Sequence, residues 1–206
     1  AAVATTLTAR RRRECSRCRC TWDGRCLPSE VPACHVRWLG EPPPSDGHRT
    51  EGYAALAQAV NANVQGPPSF TTTSEEQREA LLLVSDQSVL LLPLSKSQRT
   101  VGWPGFRALA DAIGPRAVFA AGPGECEQLR LIAGPHQMLP PLDIGVFGAA
   151  AQRVAHVVGN DSGLTHLAAA ARHSIECDPT TVHVVFGSTS PDGTGPIGCT
   201  PHQTAP

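Results

Sequence analysis

From Val89 onward, short Leu-rich or β-branched runs alternate with stretches whose apolar positions recur every three or four residues. That alternation builds β-α-β units around a parallel sheet. Val89-Leu90-Leu91-Leu92-Pro93 reads as a buried strand. After a Ser-rich loop, Pro104 stands in the first turn of a helix whose face is Phe106, Leu109, Ala110 and Ile113, with Gly114 as its stop. Ala117-Val118-Phe119-Ala120 predicts the next strand. Gly122-Pro123-Gly124 then opens a helix carrying Leu129, Ile132 and Ala133 and ending at Gly134. Met138 to Leu142 is ambiguous, because its prolines remove backbone donors. A short helix over Gly145 to Gln152 precedes a strand over Val154 to Val158. The turn Gly159-Asn160-Asp161-Ser162-Gly163 feeds a small-residue helix from Leu164 to Ala171, and Val182 to Phe186 is a further strand. At least four strands joined by helices predict an α/β fold, a Rossmann-like parallel sheet with flanking helices.

Upstream the pattern weakens. Tyr53 to Val60 suggests one helix, and Ser74-Glu75-Glu76-Gln77 reads as a capping box in front of Ala80 to Val84. Gly66-Pro67-Pro68 between them is a linker, and residues 36–47, with Pro42-Pro43-Pro44, read as extended or disordered. No internal repeat is present. The expected organisation is an irregular Cys/Arg-rich and Pro-rich segment over 1–47 and one Rossmann-like domain over 48–206.

Composition narrows the class. With 206 residues, 41% apolar and 17% charged, the chain can bury a real core, which excludes a wholly disordered chain and a disulfide mini-protein. The longest apolar runs, such as Ala80–Val84, stop far short of the roughly 20 residues needed to cross a bilayer. Arg10 to Arg13 starts like a targeting signal, but Glu14, Cys15 and more Arg follow where an apolar stretch should stand, so a cytoplasmic protein is expected. The net charge of −1 hides an asymmetry: residues 1–40 carry 8 Arg against 3 acids (+5), and the remainder carries 9 basic against 15 acidic side chains (−6). Cys15, Cys18, Cys20, Cys26 and Cys34 lie in that basic segment. With His35 they could ligate zinc, which takes four thiolates or three with an imidazole. Their spacing fits no standard paired knuckle, however, and the segment reads more simply as a tail unrelated to the fold. Nucleic-acid binding by the Arg run is likewise not expected, since only Trp22 and Trp38 lie near it as aromatics.

The densest chemistry lies in Val158-Gly159-Asn160-Asp161-Ser162-Gly163-Leu164-Thr165-His166-Leu167-Ala168-Ala169-Ala170, a strand end, a tight turn and a helix start. The first N–H groups of such a helix lack internal acceptors and the helix dipole is positive there, so a diphosphate can settle on them. Gly163 admits a ligand close to the backbone, Ser162 and Thr165 add hydroxyls, and His166 adds a ring donor. A purely structural alternative is that Asp161 or Ser162 caps the helix and His166 is a satisfied core residue. Asp161-Ser162-Gly163 is not a serine-protease signature, since an Asp adjacent to its Ser makes no triad.

This stretch, followed by Val182-His183-Val184-Val185-Phe186-Gly187-Ser188-Thr189-Ser190-Pro191 and Thr194-Gly195-Pro196, resembles the signature of glycosyltransferase family 9, the lipopolysaccharide heptosyltransferases. Leu91-Leu92-Pro93, Trp103-Pro104 with Phe106, Leu109 and Ala110, and Ala121-Gly122-Pro123-Gly124-Glu125 agree in order, so the resemblance covers residues 88–197. It implies a GT-B enzyme of two Rossmann-like domains, with this chain equivalent to the C-terminal half that holds the nucleotide sugar. It further implies heptose transfer, with inversion, from an ADP-sugar to the lipopolysaccharide inner core, without a cofactor or metal. Peripheral association with the inner membrane goes with that acceptor. Asp161, Ser162, Gly163, Leu164, Thr165 and His166 would form the diphosphate and sugar end of the pocket, Ser95, Lys96 and Ser97 would face the phosphates, and Glu125 would sit near the nucleoside. The carboxyl ends of the strands, where ligands of open α/β sheets gather, hold all three loops.

The departures are equally specific. Many family members carry Lys two positions before the Trp-Pro pair, where this chain has Val101; Lys96, its only Lys, or Arg99 is the substitute cation. The link from Arg172 to Pro179 is longer than the family's. A complete enzyme needs a further domain of about 150 residues carrying the catalytic base, which residues 1–45 cannot build. Asp46 and Asp86 lack the context of that base, so none is assigned. Nucleotide-sugar binding with weak or absent turnover is therefore expected. The alternatives are a non-catalytic truncated relic that binds a nucleotide, and a zinc or nucleic-acid binding protein led by the Cys/Arg segment.

Overall fold

A computed structural model describes residues 19–20, 26–27, 47–52, 54, 66–95, 103–173, 181–187 and 189–204. The chain divides into two compact units, residues 1–65 and 66–206. In the first, Arg19–Cys20 (β1) pairs antiparallel with Cys26–Leu27 (β2), which sets Cys20 opposite Cys26. Residues 49–52 and 54 are helical, and the Thr50 amide donates to His48 Nδ1 at 3.2 Å. The Arg run from Arg10 to Arg13, Cys15, Cys18, Cys34, His35, the Pro42-Pro43-Pro44 stretch and most of the helix expected over Tyr53 to Val60 lie outside the described residues.

The second unit is built on a six-stranded sheet, all of whose pairings are parallel. In chain order its elements are α1 (Ser74–Leu83), β3 (Val89–Leu92), α2 (Phe106–Ile113), β4 (Ala117–Phe119), α3 (Cys126–Ala133), β5 (Gln137–Met138), α4 (Ile144–Arg153), β6 (His156–Asn160), α5 (Gly163–His173), β7 (Val182–Phe186), α6 (Pro191–Thr194) and β8 (Thr200–Gln203). The strand order is β5-β4-β3-β6-β7-β8. The chain thus runs outward from β3 on one side, returns, and runs outward from β6 on the other, which is the doubly wound Rossmann-like arrangement.

The pleat divides the core. Leu90 and Leu92 of β3, Val157 of β6 and Val182, Val184 and Phe186 of β7 face α1, α4 and α5, where Ala80, Phe147, Ala150, Ala168 and Ala169 meet them. Val89 and Leu91 face α2 and α3, where Phe106, Ala110, Leu129 and Ala133 pack. All four residues of β3 are buried, as expected for a central parallel strand covered on both faces. Each fully buried Leu or Phe contributes about 1.5–3 kcal/mol of transfer free energy. Arg172 of α5 ties the helical layer together: its guanidinium, buried, donates to the carbonyls of Ala151 (2.7 Å) and Val154 (2.9 Å) at the end of α4. A cation at a helix C-terminus complements the partial negative charge there.

Several expected elements shift for physical reasons. The capping box is centred one residue earlier: Thr73, in extended conformation, is the cap, its amide donates to Glu76 Oε2 at 2.6 Å, and the Glu76 amide donates to Thr73 Oγ1 at 3.3 Å. The helix behind it runs from Ser74 to Leu83. The strand expected over Val154 to Val158 is His156–Asn160, because the Val154 amide still donates to Ala150 O and closes α4. Gly114 ends α2 with φ 74°, a region that favours glycine. Within this sheet β8 escaped the hydrophobic pattern, and β5 lies at the start of the segment whose prolines left it ambiguous. Each is an edge strand and each carries or precedes proline: Pro140 and Pro141 follow β5, and Pro201 lies within β8. An edge tolerates the lost N–H.

The sheet face opposite α4 and α5 carries a row of imidazoles. Because Val157, Val182 and Val184 point into the α4/α5 side of the core, alternation turns His156 and His183 to the other face. His156 Nδ1 stands 3.2 Å from His183 Nε2, and His183 Nδ1 stands 3.1 Å from His202 Nε2. Ring centroids are 5.3 Å apart at both contacts. One side chain from each of β6, β7 and β8 thus forms the row.

Candidate functional site

The order of the sheet reverses between β3 and β6, and at such a switch point the loops leaving the two strands diverge to opposite faces and open a crevice at their carboxyl ends. The residues there are Pro93, Leu94 and Ser95 after β3, and Asn160 at the end of β6 with Asp161 to Gly163 after it. Asn160, buried, fastens the crevice. Its Nδ2 donates to Pro93 O at 2.5 Å and its Oδ1 accepts from the Trp103 amide at 3.2 Å. Ser95 Oγ donates to Asp161 O at 3.3 Å, a second tie across the switch point.

The turn into α5 is tightly closed. Thr165 is fully buried and its hydroxyl donates to Asn160 O at 2.7 Å. With that proton committed, Ser162 Oγ is the donor in its 3.1 Å contact with Thr165 Oγ1. Ser162 O accepts the His166 amide at 3.1 Å, the first turn of the helix. A Cβ on Gly159 would collide with Thr165 Oγ1 and crowd Leu92 Cβ, so the close approach of the turn to β3 requires glycine there. A Cβ on Gly163 would meet open space, leaving the first amides of α5 approachable. Those of Gly163 and Leu164 have no acceptor within the helix.

Asp161 is the hub. Its Oδ1 accepts from His166 Nε2 at 3.2 Å, and its Oδ2 accepts from Thr189 Oγ1 at 2.9 Å and Thr194 Oγ1 at 3.0 Å. These donors, the His166 ring foremost, hold the carboxyl below its ordinary value of 3.8 against the opposing effect of burial. The turn therefore presents an ionised carboxylate, engaged on both oxygens, beside the positive end of α5.

The sequence expectations resolve unevenly. Ser95, Asp161, Ser162, Gly163, Leu164, Thr165 and His166 come together at the switch point, whereas Lys96 and Ser97, with Arg99 and Val101, lie outside the described residues. Thr165, expected to offer its hydroxyl to a ligand, spends it inside the turn. Leu164 packs against the core, so only its backbone faces the helix start. His166 is no core residue, for its side chain is 43% exposed. Glu125 stands one strand further along, after β4, with Oε2 accepting from the Gly122 amide at 2.8 Å. Asp86 lies in the exposed turn before β3, at the opposite end of the strand from the crevice. Sequence reading missed Asn160 as the fastener and Thr189 and Thr194 as partners of Asp161. The two threonines sit 28 and 33 residues further on, and no local pattern signals so distant a contact.

The family model described as glycosyltransferase family 9 (heptosyltransferase) matches residues 35–204. The chain belongs to glycosyltransferase family 9. Among solved structures, the family 9 glycosyltransferase of Veillonella parvula DSM 2008 superposes with a TM-score of 0.62 at 18% identity, over 81% of this chain and 52% of that one. The E. coli ADP-heptose lps heptosyltransferase II gives 0.56 at 17% identity, over 77% and 54%. E. coli heptosyltransferase WaaC with ADP gives 0.54 at 19%, over 85% and 54%. The chain thus spans about half the length of these family 9 structures and shares their Rossmann-like fold. No curated protein matches the sequence. No helix among the described residues is long and apolar enough to cross a membrane.

Proposed function

We propose that this chain is the nucleotide-sugar-binding half of a family 9 glycosyltransferase, equivalent to the C-terminal domain of a GT-B enzyme and corresponding to residues 48–206. The observation that carries the reading is the switch point between β3 and β6, where Ser95 is bonded to the Asp161–Gly163 turn and the start of α5 at Gly163 borders open space. A diphosphate seated on the Gly163 and Leu164 amides meets oriented N–H groups and the positive helix end, which also stabilise the charge that develops on the leaving group. Neither donor requires a metal. Ser95 and Ser162 add hydroxyls, Lys96 adds the cation, and Glu125 stands on the nucleoside side.

ADP-heptose is the proposed nucleotide sugar, a reading supported by family membership and by the solved WaaC structure with ADP. The acceptor is the lipopolysaccharide inner core, reached from the cytoplasmic side of the inner membrane. Inversion at the anomeric carbon requires the acceptor oxygen to attack from the face opposite the diphosphate. A base for that hydroxyl is not assigned.

Calorimetric titration of the chain with ADP and an ADP-heptose analogue tests the reading. Binding by the wild type, lost in folded Asp161→Ala and His166→Ala variants, is the expected result. A folded wild-type chain that binds neither ligand would overturn it and favour a relic that keeps only the architecture.

A further inference from the structure

We propose that Thr189 and Thr194 are positioning residues of the nucleotide-sugar site, holding Asp161 Oδ2 so that the 161–163 turn and His166 keep the geometry that receives the diphosphate. This rests on the binding reading above and extends it to the loop after β7.

A carboxylate beside the positive end of a helix stands where the ligand's own negative charge is to settle. Left free to rotate, it would compete with the ligand for the Gly163 and Leu164 amides. Here it is held from two sides. His166 takes Oδ1, while Thr189 and Thr194 donate to Oδ2 from a different strand's loop. Hydrogen bonds to an ionised acceptor are the stronger kind, and three donors nearly fill the roughly four acceptor positions of a carboxylate.

Backbone hydrogen bonds close the segment around Thr194 into a short helical turn. The amides of Gly193 and Thr194 donate to Ser190 O, at 3.2 and 3.1 Å, and the Gly195 amide donates to Pro191 O at 2.9 Å. The two hydroxyls are not equivalent. Thr194 Oγ1 also lies 3.1 Å from Ser190 O, so its single proton is shared between two acceptors. The contact from Thr189 is the shorter of the two to Asp161. Thr189 is therefore the principal clamp and Thr194 the secondary one.

The test uses the full chain with Thr189→Val, Thr194→Val and the two Ser counterparts, with circular dichroism as the check of folding. Two quantities are read: ADP affinity by calorimetry, and the titration of the Asp161 carboxyl by carbon-13 NMR. Each Val variant is expected to raise the Asp161 titration, and Thr189→Val to weaken ADP binding about tenfold, the net worth of one hydrogen bond. Thr194→Val has the smaller effect, and Ser restores both quantities at either position. A merely structural tie would move the melting temperature without this joint response and its rescue. Val variants that bind ADP like a binding wild type, or that leave the Asp161 titration unmoved, overturn the proposal alone. A wild-type chain that binds no ADP overturns the functional reading and this proposal together. Should Thr189→Val not fold, Thr194→Val and the Ser pair carry the same decision.

Discussion

Two regions of one sheet place histidine in opposite electrostatic company. At the carboxyl end of β6, His166 faces a carboxylate that two threonine hydroxyls also hold, and the whole group favours the ionised acid. On the face of β6, β7 and β8, His183 stands between His156 and His202. Burial first, and the two neighbouring rings after it, push the His183 titration below its ordinary 6.5. The first arrangement is stabilised by charge and the second only by its absence. They should therefore fail at different pH, although strands in direct register carry both.

The largest effect that separates them is expected from Gly159→Ala. The new Cβ collides with Thr165 Oγ1, which lies under the turn, and overpacking of this kind costs about 1–3 kcal/mol. The melting temperature should fall and ADP binding should disappear, while the His183 titration, followed by NMR, stays as in the wild type. Joint movement of both would show that the two regions form one cooperative element. Asp161→Ala comes next. It strips three donors of their acceptor, and since the site is partly exposed the expected loss is about 1–2 kcal/mol of stability, read by urea denaturation. An unchanged midpoint would mean that water replaces the carboxylate at no cost.

How much of this was legible beforehand differs between the same two regions. The turn could be read because its parts are contiguous: a strand end, Gly159, the polar triplet Asn160-Asp161-Ser162 and a small-residue helix imply their own geometry. The central strands could be read because Leu90 to Leu92 is apolar on both faces and Val182 to Phe186 is apolar at every position but His183. The histidine row could not, since His156, His183 and His202 meet only through the register of parallel strands, which no local pattern encodes. The same holds for Asn160, whose partners Pro93 and Trp103 lie across the switch point, and for Thr189 and Thr194, whose partner Asp161 follows the neighbouring strand β6. The edge strands β5 and β8 were hidden by the prolines that an edge permits. Long-range pairing limits the reading of the histidines, the threonines and Asn160, and proline limits that of the edges.

Acid should release the row before the turn. A base whose folded pKa is depressed takes up its proton more readily unfolded, so the stability it leaves intact at neutral pH falls as pH drops through about 6.5. An acid whose folded pKa is lowered contributes fully above about 3.9 and loses that contribution only as pH falls through the folded value. Amide exchange at about pH 7 and pH 5 should show lost protection in β8 first, with the start of α5 still protected. His183→Gln, which keeps a hydrogen-bonding side chain without the charge, should flatten this pH dependence of β8. Earlier opening at Asp161 would reverse the assignment of the two regions.

The smallest expected effect tests whether the row acts as a unit. His202 stands on the edge strand and is exposed, and its charge is the last of the three influences that lower His183. His202→Gln should therefore raise the His183 titration only slightly, as followed by proton NMR, because an exposed charge is screened by water and salt. His156→Gln should raise it more, since His156 is the larger of the two ring influences. Burial ranks above both, so even the double variant should leave His183 below 6.5. Full recovery in the double variant would instead assign the depression to the neighbouring rings alone and make the row, rather than the packing around β7, the acid-sensitive element of the sheet.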